Sequence, residues 1–176
     1  LLKGGVDLIE IALNTPHAVE TISRLTLEFG SDLFIGAGTV LNTELAVSAH
    51  EAGARYFLTP SLVPEVLTYA QKNDLVCIPG AFTPTEINTA NALGAKVIKV
   101  FPIRSLGPAY IRDVLSSMDA INLIAVGGVT VDNAHLFIKA GAIGVGIGSG
   151  LVSSNLIKDY SALQVLAKRL IQNVSQ

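Results

Sequence analysis

The sequence predicts an α/β protein, a (β/α)8 TIM barrel whose first βα unit is absent from this chain, on three observations. Short runs rich in Val and Ile recur from one end to the other. Amphipathic stretches of helical length separate them. The apolar runs carry little polar alternation, which is how strands covered on both faces of a parallel sheet read. An open doubly wound sheet is the structural alternative.

Strands are expected at residues 6–13, 33–37, 55–58, 76–79, 96–101, 122–126 and 143–147. The stretches between them carry helix punctuation. Thr15-Pro16 places proline at a first helical position. Thr83-Pro84-Thr85-Glu86 fits a capping box, with threonine at the cap and glutamate three residues on. Gly53, Gly94 and Gly141 stand where helices should end. They belong to a weak internal repeat: Lys3-Gly4-Gly5, Ala52-Gly53-Ala54, Leu93-Gly94-Ala95 and Ala140-Gly141-Ala142. From Gly4 to Gly53, Gly94 and Gly141 the steps are 49, 41 and 47 residues, room for two βα units each. The chain opens on what reads as a helix end, residues 1–4, running into a strand. A preceding βα unit of about 20–30 residues is therefore expected in the native protein. No linker or low-complexity tract interrupts residues 1–176, so one barrel domain is expected.

Composition narrows the function classes. Half of the residues are hydrophobic and 15% are charged, which excludes a disordered chain. The net charge of −2 and the lack of a Lys/Arg run argue against a nucleic-acid partner. No apolar run reaches the roughly 18 residues of a membrane-spanning helix. His17, His50 and His135 lack ligand spacing, are expected on helix surfaces, and have no acidic cluster nearby in sequence, so no metal is expected. The single cysteine, Cys77, cannot form an internal disulfide and reads as a buried strand residue, which suits a reducing cytoplasm.

Lys99 is the most informative residue. It lies inside Lys96-Val97-Ile98-Lys99-Val100-Phe101, where a charged ammonium is expensive unless it is paired or neutralised. A lysine pushed toward its neutral form attacks carbonyl carbon, which points to Schiff-base chemistry. A buried ion pair, or a covered stem with a wet tip, is the plainer reading. Strand alternation puts Leu8, Glu10, Ala12 and Asn14 on one face. Glu10 is thus a lone carboxylate in an apolar strand. It is either a structural partner of Lys99 or a proton carrier beside it.

The remaining candidates sit at strand ends, where barrel sites form. Gly127-Gly128 follows the sixth strand, and Gly148-Ser149 lies in the glycine-rich run after the seventh. Two such turns after the last strands suit a phosphate group, because glycine lets backbone N–H groups approach an anion. Each alone reads as a tight turn. The late run does not match G-x-G-x-x-G, which disfavours a dinucleotide fold. Thr39, after Gly36-Ala37-Gly38, offers a hydroxyl and backbone N–H groups to a carboxylate, or else marks a turn. Thr59-Pro60 and Pro79-Gly80 end two further strands at the rim, and Pro60 joins the substrate-binding candidates.

Taken together, these residues resemble those of the class I KDPG/KHG aldolases, which act on 2-keto-3-deoxy-6-phospho-sugar acids. The matching stretches are Ile9-Glu10-Ile11-Ala12-Leu13-Asn14, Gly36-Ala37-Gly38-Thr39-Val40-Leu41, Pro79-Gly80, Ile98-Lys99-Val100-Phe101-Pro102, Gly127-Gly128-Val129 and Gly148-Ser149. Their order and spacing cover nearly the whole chain. The resemblance implies a homotrimeric (β/α)8 barrel with no metal or other cofactor, acting on a phosphorylated keto acid and releasing pyruvate. It implies that Lys99 forms the Schiff base, Glu10 relays protons and Thr39 helps bind the pyruvate carboxylate. It also implies that Gly127, Gly128, Gly148 and Ser149 bind the phosphate. Many gluconate-type members carry arginine where this chain has Asn14. Asn14-Thr15-Pro16, Gly107-Pro108-Ala109-Tyr110-Ile111 and Ala125-Val126-Gly127-Gly128-Val129-Thr130 look more like the phosphogalactonate branch. In that branch an arginine on the first strand takes over carboxylate contact. A phosphosugar isomerase or synthase, or a non-catalytic phosphometabolite-binding barrel, are the competing readings on the same fold.

Overall fold

The structure is a computed structural model that describes residues 1–118, 120–153 and 158–175. The chain divides into two compact units. One is Asp7–Ile98; the other combines Leu1–Val6 with Lys99–Gln176.

The Asp7–Ile98 unit runs β1 (Leu8–Ala12), α1 (Ala18–Phe29), β2 (Phe34–Gly38), α2 (Thr43–Glu51), β3 (Tyr56–Leu58), α3 (Pro64–Lys72), β4 (Val76–Ile78), β5 (Gly80–Ala81) and α4 (Pro84–Ala92). Strands β1 to β4 pair in sequence order, all parallel. Parallel neighbours need a crossover, and each helix supplies one. The strand β6 (Ile98–Val100) begins at the last residue of this unit. The Lys99–Gln176 stretch continues with α5 (Gly107–Ser117), β7 (Leu123–Val126), α6 (Ala134–Lys139), β8 (Gly144–Gly146) and α7 (Tyr160–Val174). Here β7 and β8 pair in parallel.

All seven expected strands form. An additional short segment, β5, follows β4 because Pro79 has no N–H to extend the ladder. Double-sided burial holds for β3 and β6, whose residues are all buried. It fails for β1. That strand is the edge of its sheet, and Leu8 is 57% exposed.

The weak repeat has a structural cause. After each of the three helices ending near Gly53, Gly94 and Gly141, the glycine adopts positive φ. The next residue then donates its N–H to the carbonyl five residues back: Ala54 to Ala49, Ala95 to Ala90, Ala142 to Phe137. This is the Schellman closure. The first copy behaves alike, with Val6 bonded to Leu1, but the left-handed residue there is Gly5. Gly4 is instead buried against Ala167, inside the 3-10 turn Leu2–Gly4. Helix α3 closes the same way through Leu75 and Ala70, with Asp74 at φ 56 in the glycine's place.

The capping box forms as expected. Thr83 Oγ1 accepts from the Glu86 N–H, and Glu86 accepts from the Thr83 and Phe82 N–H groups. Those backbone donors hold the Glu86 carboxyl below its ordinary pKa. The Thr15-Pro16 start does not form. His17 sits at φ 58, outside the helical region, and α1 begins at Ala18.

Candidate active site

In the Asp7–Ile98 unit, two glycines two residues apart shape the face of β2. Residues i and i+2 on a strand share a face, so Gly36 and Gly38 leave one strip of β2 without side chains. Neighbouring strands fill it. The ring of Tyr56 lies where a Cβ on Gly36 would stand, and the Glu10 carboxyl lies where a Cβ on Gly38 would stand. Glu10 pairs with Gly36 in register, so its side chain leans along the strand toward the C-terminal end. Glu10 is exposed, not buried as its apolar flanks suggested; within residues 1–176, β1 pairs with β2 alone.

Tyr56 stacks on Phe34 at 5.6 Å between ring centroids, and Arg55 lies 4.2 Å from the Phe34 ring centre. Burial pushes the Tyr56 phenol well above its ordinary value, and the Glu10 charge adds to the shift. The phenol therefore stays protonated next to that carboxylate.

Two more candidates follow at the ends of β2 and β3. Thr39 holds φ 58, a left-handed conformation that a β-branched residue rarely adopts. Such strain of about 1–3 kcal/mol persists only where the surroundings impose it, and it gathers at functional sites. Val40, next in sequence, is fully buried and donates to the Leu58 carbonyl, which anchors the kink. Thr59 is fully buried, and its hydroxyl donates to the Ser61 carbonyl at 2.5 Å and accepts from Gly80 N at 3.3 Å. Gly80 leaves space that the Pro60 carbonyl fills. The two rim dipeptides, Thr59-Pro60 and Pro79-Gly80, thus meet.

In the Lys99–Gln176 stretch, Lys99 is 6% exposed between fully buried Ile98 and Val100. Its Nζ stands 4.5 Å from the centre of the Phe101 ring. Phe101 in turn packs against the turn after β7. A Cβ on Gly127 would lie 3.0 Å from Phe101 Cδ2. Gly127 and Gly128 both have positive φ, 91° and 92°. Asn133 fastens this turn: its amide donates to the Gly128 carbonyl, and its Oδ1 accepts from Thr130 N at 2.8 Å. The turn after β8 reaches the same place, since Gly150 lies against the Val129 carbonyl and Thr130. Gly148 and Ser149 are exposed there. The fold therefore gathers Lys99, Gly127-Gly128 and the Gly148–Gly150 turn at the C-terminal ends of their strands. It gathers Glu10, Thr39 and Pro60 near the corresponding ends of β1 to β3.

Sequence reasoning missed Tyr56 and Arg104, the latter of which lies against Gly128; for Phe101, strand alternation predicts only a face shared with Lys99. The signal for Tyr56 is the Gly36-x-Gly38 alternation, which requires a neighbour's bulk on that face. Two histidines also differ from expectation. His50 is half-buried, with Nδ1 3.1 Å from the Tyr69 hydroxyl, and His135 is half-buried in α6. Cys77 is buried as expected, and burial pushes its thiol up to about 12.

The family model described as KDPG and KHG aldolase matches residues 1–167. The 2-dehydro-3-deoxy-6-phosphogalactonate aldolase of Escherichia coli strain K12 is 34% identical over 168 residues, covering 95% of this chain and 82% of that protein. A solved structure described as native KDPGal superposes with a TM-score of 0.92 at 32% identity, over 99% of this chain and 84% of the other. The KDPG aldolase of Legionella pneumophila, solved with pyruvate captured as a covalent carbinolamine intermediate, gives 0.85 at 26% identity, over 96% and 82%. The fold is thus of the (β/α)8 type. By its sequence, its strand order and its superposition alike, this chain belongs to the KDPG and KHG aldolase family.

Proposed function

We propose that the chain is a class I aldolase that cleaves a 2-keto-3-deoxy-6-phospho-sugar acid to pyruvate and glyceraldehyde 3-phosphate. The phosphogalactonate and phosphogluconate acids are its two candidate substrates. The observation that carries the reading is Lys99: a strand lysine, 6% exposed, with its nitrogen held over an aromatic face.

The Lys99 amine adds to C2 of the keto acid, and loss of water gives an iminium. A ring face 4.5 Å away favours the positive charge that the iminium carries. Glu10 takes the C4 hydroxyl proton. The C3–C4 bond breaks, its electron pair flows to the iminium nitrogen, and the aldehyde leaves. Protonation of the enamine at C3 and addition of water then release pyruvate and the free amine. Thr39 and Pro60 contact the keto-acid end. The turns at Gly127-Gly128 and Gly148-Ser149 hold the phosphate through backbone N–H groups. The protein works as one barrel domain, as a homotrimer and in the cytoplasm; scattering mass in solution tests the trimer.

Borohydride reduction in the presence of pyruvate tests the chemistry. It should add about 72 Da to Lys99, the mass of a pyruvate imine reduced to a secondary amine. Label on another residue, or no label, would refute the assignment.

A further inference from the structure

Arg104 has no place in the mechanism above, yet its position is specific. It follows the Lys99 strand by four residues, inside the 3-10 turn Ile103–Ser105. Ile103 is fully buried and fastens that turn, while Arg104 is exposed. The arginine does not extend into solvent away from the fold. Its Cβ, Nε and Cγ lie 2.7, 2.9 and 3.0 Å from the point a Cβ on Gly128 would occupy. The side chain is laid along the Gly127-Gly128 turn because Gly128 has no side chain of its own. No carboxylate among the described residues forms an ion pair with it.

We infer that Arg104 is a specificity-determining residue: its guanidinium contacts the substrate's phosphoryl group at the Gly127-Gly128 turn. This rests on the aldolase reading and on the phosphate lying at that turn. The chemistry favours it. Backbone N–H groups supply direction but only partial charge, whereas a phosphate monoester carries nearly two negative charges. A guanidinium can donate two parallel hydrogen bonds to phosphate oxygens, which a lone N–H cannot. Arg104 is a cation that the fold places against this turn, and Asn133 fastens the turn through two hydrogen bonds.

The test compares wild type, R104Q and R104K on the phosphorylated keto acid and on the same acid without its phosphate. R104Q should raise KM for the phosphorylated substrate about tenfold, the scale of one charge-assisted hydrogen bond, with kcat changed less than about twofold. The wild-type preference for phosphorylated over unphosphorylated substrate should fall by the same factor. Inhibition by inorganic phosphate should weaken in parallel. R104K should recover part of the KM and part of the phosphate inhibition. Equal losses on both substrates, or an unchanged KM and phosphate inhibition in R104Q, would overturn the inference. Borohydride trapping with pyruvate separates the two readings. Wild type that traps while R104Q keeps its KM overturns the role of Arg104 alone. Wild type that does not trap overturns the aldolase reading and this inference with it.

Discussion

The two compact units prepare their candidate residues in different ways. In Asp7–Ile98 the face of β2 is stripped to Gly36 and Gly38, and side chains from β1 and β3 are laid over it. The result is a set of side-chain functions: an exposed carboxylate on Glu10, a protonated phenol on Tyr56 and a strained Thr39. In the Lys99–Gln176 stretch the candidate side chain, Lys99, is 6% exposed. Around it the candidate residues are mostly backbone, two left-handed glycines fastened by Asn133 and a second turn seated on them, with the Phe101 ring and the Arg104 side chain laid against the glycines. Proton transfer needs a side chain with access to substrate and water. Covalent attack needs a dry amine, and an anion needs backbone without Cβ atoms in the way. Under the proposed mechanism, each region answers a different kind of demand.

The largest way to break this contrast is to remove the amine. K99A should lower pyruvate production by a factor of about 10³ or more and abolish borohydride trapping, because the proposed covalent intermediate forms on the amine that the substitution removes. Neutralising the carboxylate should separate binding from proton transfer. E10Q should lower kcat by about 10²–10³ while pyruvate still traps on Lys99. Loss of trapping in E10Q would mean that Glu10 serves the lysine and not the C4 hydroxyl. On the backbone side, G128A forces a left-handed alanine and pushes the Cβ of Arg104, 2.7 Å away. It should cost about 1–2 kcal/mol of stability and raise KM for phosphorylated substrate more than it lowers kcat. A kcat-only effect would place the phosphate elsewhere.

The smallest expected effect lies away from both sites and calibrates the others. T83A removes a helix cap and should cost about 1 kcal/mol, a fall in Tm of roughly 2–4 °C, with kcat/KM intact. Its Glu86 partner adds a pH signature. Because the folded pKa is depressed, the stabilisation is present above the unfolded carboxylate pKa and is lost as pH falls through the folded value. The difference in Tm between wild type and E86Q should therefore shrink below about pH 4, which thermal melts across pH 3–7 measure.

Much of this was written in the local sequence. Apolar runs located all seven expected strands, although burial on both faces, the reason such runs are apolar throughout, is complete among them only in β3 and β6. The capping box at Thr83 and the closing glycines at Gly53, Gly94 and Gly141 were readable, because their chemistry involves residues within one turn of each other. Lys99 stood out by the same logic, as a charge where its neighbours allow none.

Other features depend on what lies beside a residue in space. Glu10 is exposed although its neighbours in sequence are apolar, because its surroundings are set by which strands flank β1, and within residues 1–176 only β2 pairs with it. Asp74 closes α3 in a conformation expected of glycine, and His17, also left-handed, delays α1 to Ala18. Tyr56 reaches Glu10 only across β2, and Arg104 reaches Gly128 only across a turn 24 residues further on. The sequence by itself determined the strands, the capping box at Thr83, the closing glycines and the anomaly of a lysine in an apolar strand, since these follow from periodicity, local hydrogen bonding and desolvation. Tertiary structure alone decided which side chains share a glycine's vacant space, because that is set by register between strands and not by spacing along the chain.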